Sequence, residues 1–200
     1  MDGTGTGRLE AFSDGVFAIA ATLLILEVGV DTSRGDLGGQ LTHIWPAYLA
    51  YATTFLIIGI IWINHHHCVS LIGRVDRPFL FVNLLLLLTV SFMPFPTKLV
   101  AQYLQKPDER QAVIAYAVTM VTMACIYNVW WRYARRDRRL IAEHVSDASL
   151  EAVDRAFNPG VPLYALVLAV AFVSPLGSVI MTLFIAVFYL PSAALFERGT

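Results

Sequence analysis

Apolar residues along this chain fall into six runs, at roughly 10–30, 44–67, 79–101, 111–131, 160–174 and 176–195. Between them collect arginine, aspartate, glycine and proline. Apolar stretches near twenty residues have the length of membrane-crossing helices. The second run has tryptophans at both ends, Trp45 and Trp62, and the fourth closes on Trp130-Trp131-Arg132, as expected where a helix meets an interface. The third contains five consecutive leucines, Leu84 to Leu88, followed by Pro94 and Pro96, which predict a kink or an end. The fifth is short for a crossing, and Ser174-Pro175-Leu176-Gly177 predicts a tight turn that folds the sixth back on it.

The pattern predicts an all-α integral membrane protein with six transmembrane helices in one domain over residues 1–200. Met1 to Gly7, rich in glycine and threonine, is expected to be disordered. Residues 132–158 form a basic loop in which Asp147 is expected to cap a helix from Ala148 to Phe157, stopped by Asn158-Pro159-Gly160.

Composition agrees: 57% of residues are hydrophobic and 14% charged, a balance that would leave a soluble domain covered in apolar patches. Net charge is only -1, but its distribution is lopsided. With six crossings, Arg8, Arg74, Arg77, the run from Arg132 to Arg139, Arg155 and Arg198 share one side, and Arg34, Lys98, Lys106 and Arg110 the other. That bias predicts a cell-membrane protein with both termini in the cytoplasm. The arginine-rich loop either touches anionic headgroups or serves only to enforce topology. Nothing in the pattern points to nucleic acid. Cys68 and Cys125 lie in separate apolar runs and suggest no disulfide framework. The first run ends in Glu27-Val28-Gly29-Val30-Asp31 without a small-x-small pattern, so it is expected to remain as a span and not to be cleaved as a leader.

The first run is unusual because charge brackets it closely. Only twelve uncharged residues separate Asp14 from Glu27, about 18 Å of helix against a hydrocarbon core of roughly 30 Å. At 100° per residue, Phe12, Gly15, Ile19, Leu23, Leu26 and Val30 share one stripe, with Thr22 on its edge. Ala11, Asp14, Ala18 and Ala21 form a second stripe, small enough for another helix to approach closely. The aliphatic stripe has two readings. It faces lipid or packs in the bundle, or several copies surround an axis as hydrophobic rings that gate by dewetting.

Arg8-x-x-x-Phe12-Ser13-Asp14, followed by Ile-Ala-Ala-Thr-Leu-Leu-Ile-Leu in a chain with six predicted spans, resembles the transmembrane protein 175 family of potassium channels. Animal members carry two six-helix repeats; this chain has one, like prokaryotic members, which implies a homotetramer with the first helices around a central pore. The resemblance implies that Ile19 forms the constriction, that Leu23 and Leu26 form further apolar rings, and that Thr22 supplies the hydroxyl linked to cation preference. Arg8, Phe12, Ser13 and Asp14 then anchor the helix through polar contacts. Potassium is implied as the permeant ion, with no cofactor.

His65-His66-His67 superficially resembles a metal site, but consecutive helical residues point about 100° apart and cannot converge on one ion. They read as interfacial polar residues, or as partners, with Trp62 or Asn64, of the Arg8/Ser13/Asp14 cluster. Trp62 and His65 are also similar to the family pattern. Glu27 either draws cations to a mouth or is a solvated rim residue. A secondary transporter using Asp14, His65 or His66 as a proton site is the alternative, and the absence of related halves weakens it. No paired carboxylates, activated nucleophile or metal spacing points to an enzyme.

Overall fold

The computed structural model describes residues 4–30 and 35–195, and every regular element in them is helical. Helix α1 (Thr4–Leu23) tightens into a 3-10 turn at Leu24–Glu27. A short α2 (Leu37–His43) precedes α3 (Trp45–Ser70), α4 (Arg77–Phe92), α5 (Pro94–Tyr103) and α6 (Glu109–Arg135). Then come α7 (Asp147–Phe157), α8 (Gly160–Ala171) and α9 (Pro175–Leu195). Four helical stretches are long and apolar enough to cross a membrane: Thr6–Glu27, Trp45–Ser70, Arg77–Tyr103 and Glu109–Arg138.

Local chemistry explains the boundaries. Pro94 has no amide hydrogen to donate, and the helix breaks at Met93, splitting one apolar stretch into α4 and α5. Asp76 starts α4 by accepting from Phe79 N at 2.9 Å. Ser174 Oγ accepts from Gly177 N at 3.2 Å at the start of α9, and Ser178 Oγ donates to the Val167 carbonyl at 2.9 Å, closing α8 and α9 into a hairpin. Helix α8 has 12 residues, about 18 Å of rise.

Three expectations change. The cap of α7 is Ser146, whose Oγ accepts from Ser149 N at 3.1 Å; Asp147 is one residue too far along to reach that amide and pairs with Arg138. Of the Met1–Gly7 stretch expected to be disordered, Thr4 to Gly7 continue α1, since a helix already nucleated extends through poor formers at little cost; residues 1–3 lie outside the described residues. Finally, Trp62 does not mark the end of its helix, which continues to Ser70.

The core lies where α3, α4, α5 and α6 meet, with α1 packed on α3 and α4. Water does not drive helices together inside lipid, so close packing and buried polar bonds do. Thr54 Oγ1 lies 3.0 Å from both Thr97 Oγ1 and Tyr116 OH, tying α3, α5 and α6 together in the interior. At the arginine-rich end, the α3–α4 loop pairs with the segment after α6. Gly73 N donates to Leu140 O at 2.9 Å, Ala142 N donates to Leu71 O at 3.0 Å, and Ile72 bridges Ile141. A Cβ on Gly73 would lie 2.9 Å from Ala142 Cα, so this approach requires glycine. Asp76 Oδ2 also accepts from Tyr133 OH at 3.0 Å and from Arg139 at 2.9 Å.

Candidate functional site

Helix α1 has two contrasting faces. Leu9, Ser13, Phe17, Ala20 and Leu24 step by four, four, three and four residues along one side, and all are buried where this stretch packs on α3, α4 and α5. The opposite side is bare: Phe12 is 56% exposed, Ile19 61%, Leu23 41% and Leu26 73%. The 3-10 turn sharpens this face beyond what uniform helical periodicity predicts. Side chains three apart eclipse in such a turn, so Leu26 stands over Leu23, about 6 Å further along the axis. Ile19 lies about 6 Å in the other direction. Thr22 is exposed beside them, and its hydroxyl donates to the Ile19 carbonyl at 3.0 Å, leaving oxygen lone pairs as its outward polar feature.

Behind that face, polar side chains join three helices. Ser13 Oγ donates to Leu9 O at 2.8 Å and accepts from Asn83 Nδ2 of α4 at 3.2 Å. Asn83 Oδ1 in turn lies 2.9 Å from His65 Nε2 of α3. With the amide nitrogen directed at Ser13, His65 donates through Nε2. The ring is fully buried, stacked on Trp130 with centroids 4.9 Å apart and tilted against Phe17 at 5.4 Å.

A second set of contacts forms a ladder between antiparallel α1 and α3. Trp62 Nε1 donates to Asp14 Oδ1 at 2.8 Å, and His66 Nδ1 meets Glu10 Oε1 at 2.8 Å. Each helix advances four residues between the rungs, one turn, so both pairs lie on facing sides. Asp14 is half-buried and borders a groove of about 460 Å³ with Ala18, Ala21, Phe55, Gly59 and Trp62.

The structure therefore brings together Ser13, Asp14, Trp62, His65 and His66, while Arg8 and Phe12 are exposed. The three histidines splay as a helix requires: His65 inward, His66 toward Glu10 and His67 to another side. Among the described residues no group of three potential ligands converges on a metal position. Two members were not singled out from sequence. Asn83 is signalled in the sequence only as a lone amide in a leucine-rich span. Glu10 is signalled by the matched four-residue spacings 10/14 and 62/66. Glu27, at the far end of α1, is mostly buried and paired with Lys98 at 3.1 Å, so it is not a free carboxylate at a rim.

A bundle of membrane-length helices, with one helix turning an aliphatic face outward and held from behind by a buried polar network, defines a polytopic α-helical membrane protein. Comparison with known proteins narrows that class. Residues 8–94 match the family model described as endosomal/lysosomal potassium channel TMEM175. A potassium channel of Chamaesiphon minutus is 40% identical over 188 residues, covering 92% of this chain and 93% of that protein. One from Streptomyces collinus is 42% identical over 174 residues, covering 84% of each. The crystal structure of a lysosomal potassium-selective channel TMEM175 homolog from Chamaesiphon minutus superposes with a TM-score of 0.86 at 38% identity, covering 94% of this chain and 97% of that one. The chain belongs to the TMEM175 family, a family of ion channels.

Proposed function

We propose that this protein is a potassium-permeable cation channel of the cell membrane in which four copies set α1 around a shared axis. The carrying observation is the outward face of α1. Ile19, Leu23 and Leu26 are aliphatic, aligned about one turn apart and uncovered within the protomer, while the reverse face is fully packed. Fourfold repetition turns each into a ring. Water leaves a narrow aliphatic ring readily, so the rings act as the gate, with Ile19 as the main constriction. The Thr22 oxygen is the nearest group able to replace water around a cation, which makes it the selectivity residue. Without a cage of backbone carbonyls, discrimination rests on few ligands and is modest.

The protomer crosses the membrane six times, through α1, α3, α4 with α5, α6, α8 and α9, with the arginine-rich end and both termini cytoplasmic. The polar network of Ser13, Asn83, His65, Asp14 and Trp62 holds the pore helix at fixed rotation, and a rotation of even half a residue step would swing the rings off axis. Arg8 and Phe12 belong to the same motif from its exposed side.

The test is conduction by purified protein in planar bilayers. Wild-type protein gives unitary steps and a reversal potential on the potassium side of zero under opposed potassium and sodium. Ile19→Asn, which wets the narrowest ring, raises the resting open probability and lowers discrimination. Saturable flux without unitary steps would point to a carrier, and unchanged currents in Ile19→Asn would remove the constriction from Ile19.

A further inference from the structure

Away from α1, two neighbouring cavities lie at the arginine-rich end of α6. The first is a crevice of about 100 Å³ among α3, α6, α8 and α9, with apolar walls that include Met123, Leu163 and Ile185. Polar groups also line it, among them Asn64 of α3, Asn128 of α6 and Tyr164 of α8. Asn128 donates to Ala124 O of its own helix at 3.2 Å, whereas the Asn64 side chain has no hydrogen-bond partner among the described residues. An unmatched amide within a membrane helix is costly and calls for a polar group from outside the protein. The second cavity, of about 590 Å³, is a basic groove lined by Arg132, Arg135, Arg136, Asp137, Asp154 and Asn158.

The two lie close together, since consecutive residues Phe157 and Asn158 line one each. Helix α6 joins them as well: Arg132 and Arg135 follow Asn128 on nearly the same face, about 6 Å and 10 Å further along. Their charges are unequally used. Asp154 takes both Arg135 and Trp131 Nε1, the latter at 2.8 Å. Arg136 has only an exposed contact with Asp137 at 3.8 Å, and Arg132 has no partner among the described residues.

We propose that this composite cavity binds one acidic glycerophospholipid of the phosphatidylglycerol type. The phosphate sits on Arg132 and Arg136, the glycerol-ester oxygens meet Asn64 and Tyr164, and the start of an acyl chain lies along Met123 and Ile185. Charge complementarity and the ordering of groups select this occupant. Moving along α6 from the arginines into the bundle, the lining changes from cationic to polar to apolar, which is the order phosphate, ester, chain in such a lipid. Arginines that only set topology require no recess behind them. The site is independent of the conduction pathway, so it survives or fails separately from the channel reading.

Native mass spectrometry of the full-length protein in mild detergent, supplied with equimolar phosphatidylglycerol and phosphatidylcholine of matched chains, tests it. The wild type retains phosphatidylglycerol preferentially. Arg132→Gln with Arg136→Gln lowers that preference by roughly thirtyfold, the order expected from two arginine charges near a lipid surface. Arg132→Lys with Arg136→Lys keeps most of it, which separates lost charge from lost folding. Asn64→Leu reduces retention of both lipids by obstructing the ester position. Equal retention by the wild type overturns the proposal. So does an equal loss in Arg77→Gln, which would mean diffuse attraction, or displacement of the lipid by millimolar inorganic phosphate, which would mean a free-anion site.

Discussion

The Trp62 indole nitrogen lies 2.8 Å from Asp14 Oδ1, and this bond ties α1 to α3 through a carboxylate that the apolar pattern of α1 sets near the edge of a membrane span. An acidic side chain at that depth needs a donor, and a tryptophan supplies one while keeping its ring in apolar surroundings. Removing either partner leaves the other exposed to the same problem. Trp62→Phe and Asp14→Asn are each expected to destabilise the protein by about 0.5–2 kcal/mol, and the double variant by less than their sum. Thermal unfolding followed by size-exclusion chromatography measures all three; strict additivity would show that the contact contributes nothing.

Asn83 carries more, because it serves two helices at once. Asn83→Leu leaves Ser13 without its donor and His65 Nε2 without its acceptor, in a region where His65 Nδ1 already lacks a partner among the described residues. A loss of about 1–3 kcal/mol is expected. Thr122→Val is the control, since that hydroxyl bonds only to Val118 O of its own helix from an exposed position. Equal melting shifts in the two variants would contradict the three-helix role of Asn83.

At the proposed selectivity position, Thr22→Val keeps shape and removes the oxygen. Preference for potassium over sodium is expected to fall by about two- to fivefold, equivalent to up to ~1 kcal/mol of lost cation contact. The bi-ionic reversal potential moves toward zero while the channel still closes, because Ile19, Leu23 and Leu26 are untouched. An unshifted potential assigns selectivity elsewhere.

Glu27 follows Leu26, the last residue of the proposed aliphatic gate, and is paired with Lys98. Lys98→Gln therefore unmasks a carboxylate at what the proposed function makes the outer mouth. Inward cation current is expected to rise at ~10 mM salt and to return toward wild type near ~1 M, where the screening length shrinks from about 30 Å to about 3 Å. Glu27→Gln has the opposite sign, leaving a cation at the entrance. A salt-independent change in either variant would argue for a structural cause.

Much of this architecture was legible in the chain itself. The apolar runs set where the helices lie, since a membrane admits only segments that satisfy their own backbone. Pro94 marked the break between α4 and α5, and helical periodicity, a local property, grouped Phe12, Ile19, Leu23 and Leu26 in one stripe, which the tertiary structure leaves facing outward. Tertiary structure decided the partnerships. That Asn83 bridges Ser13 and His65, that Glu10 meets His66 and that Lys98 neutralises Glu27 depend on the register of one helix against another. Spacing within a single helix does not encode that register. The eclipsing of Leu23 and Leu26 likewise required the 3-10 tightening at Leu24, a change of pitch in a stretch whose composition fits an ordinary helix equally well.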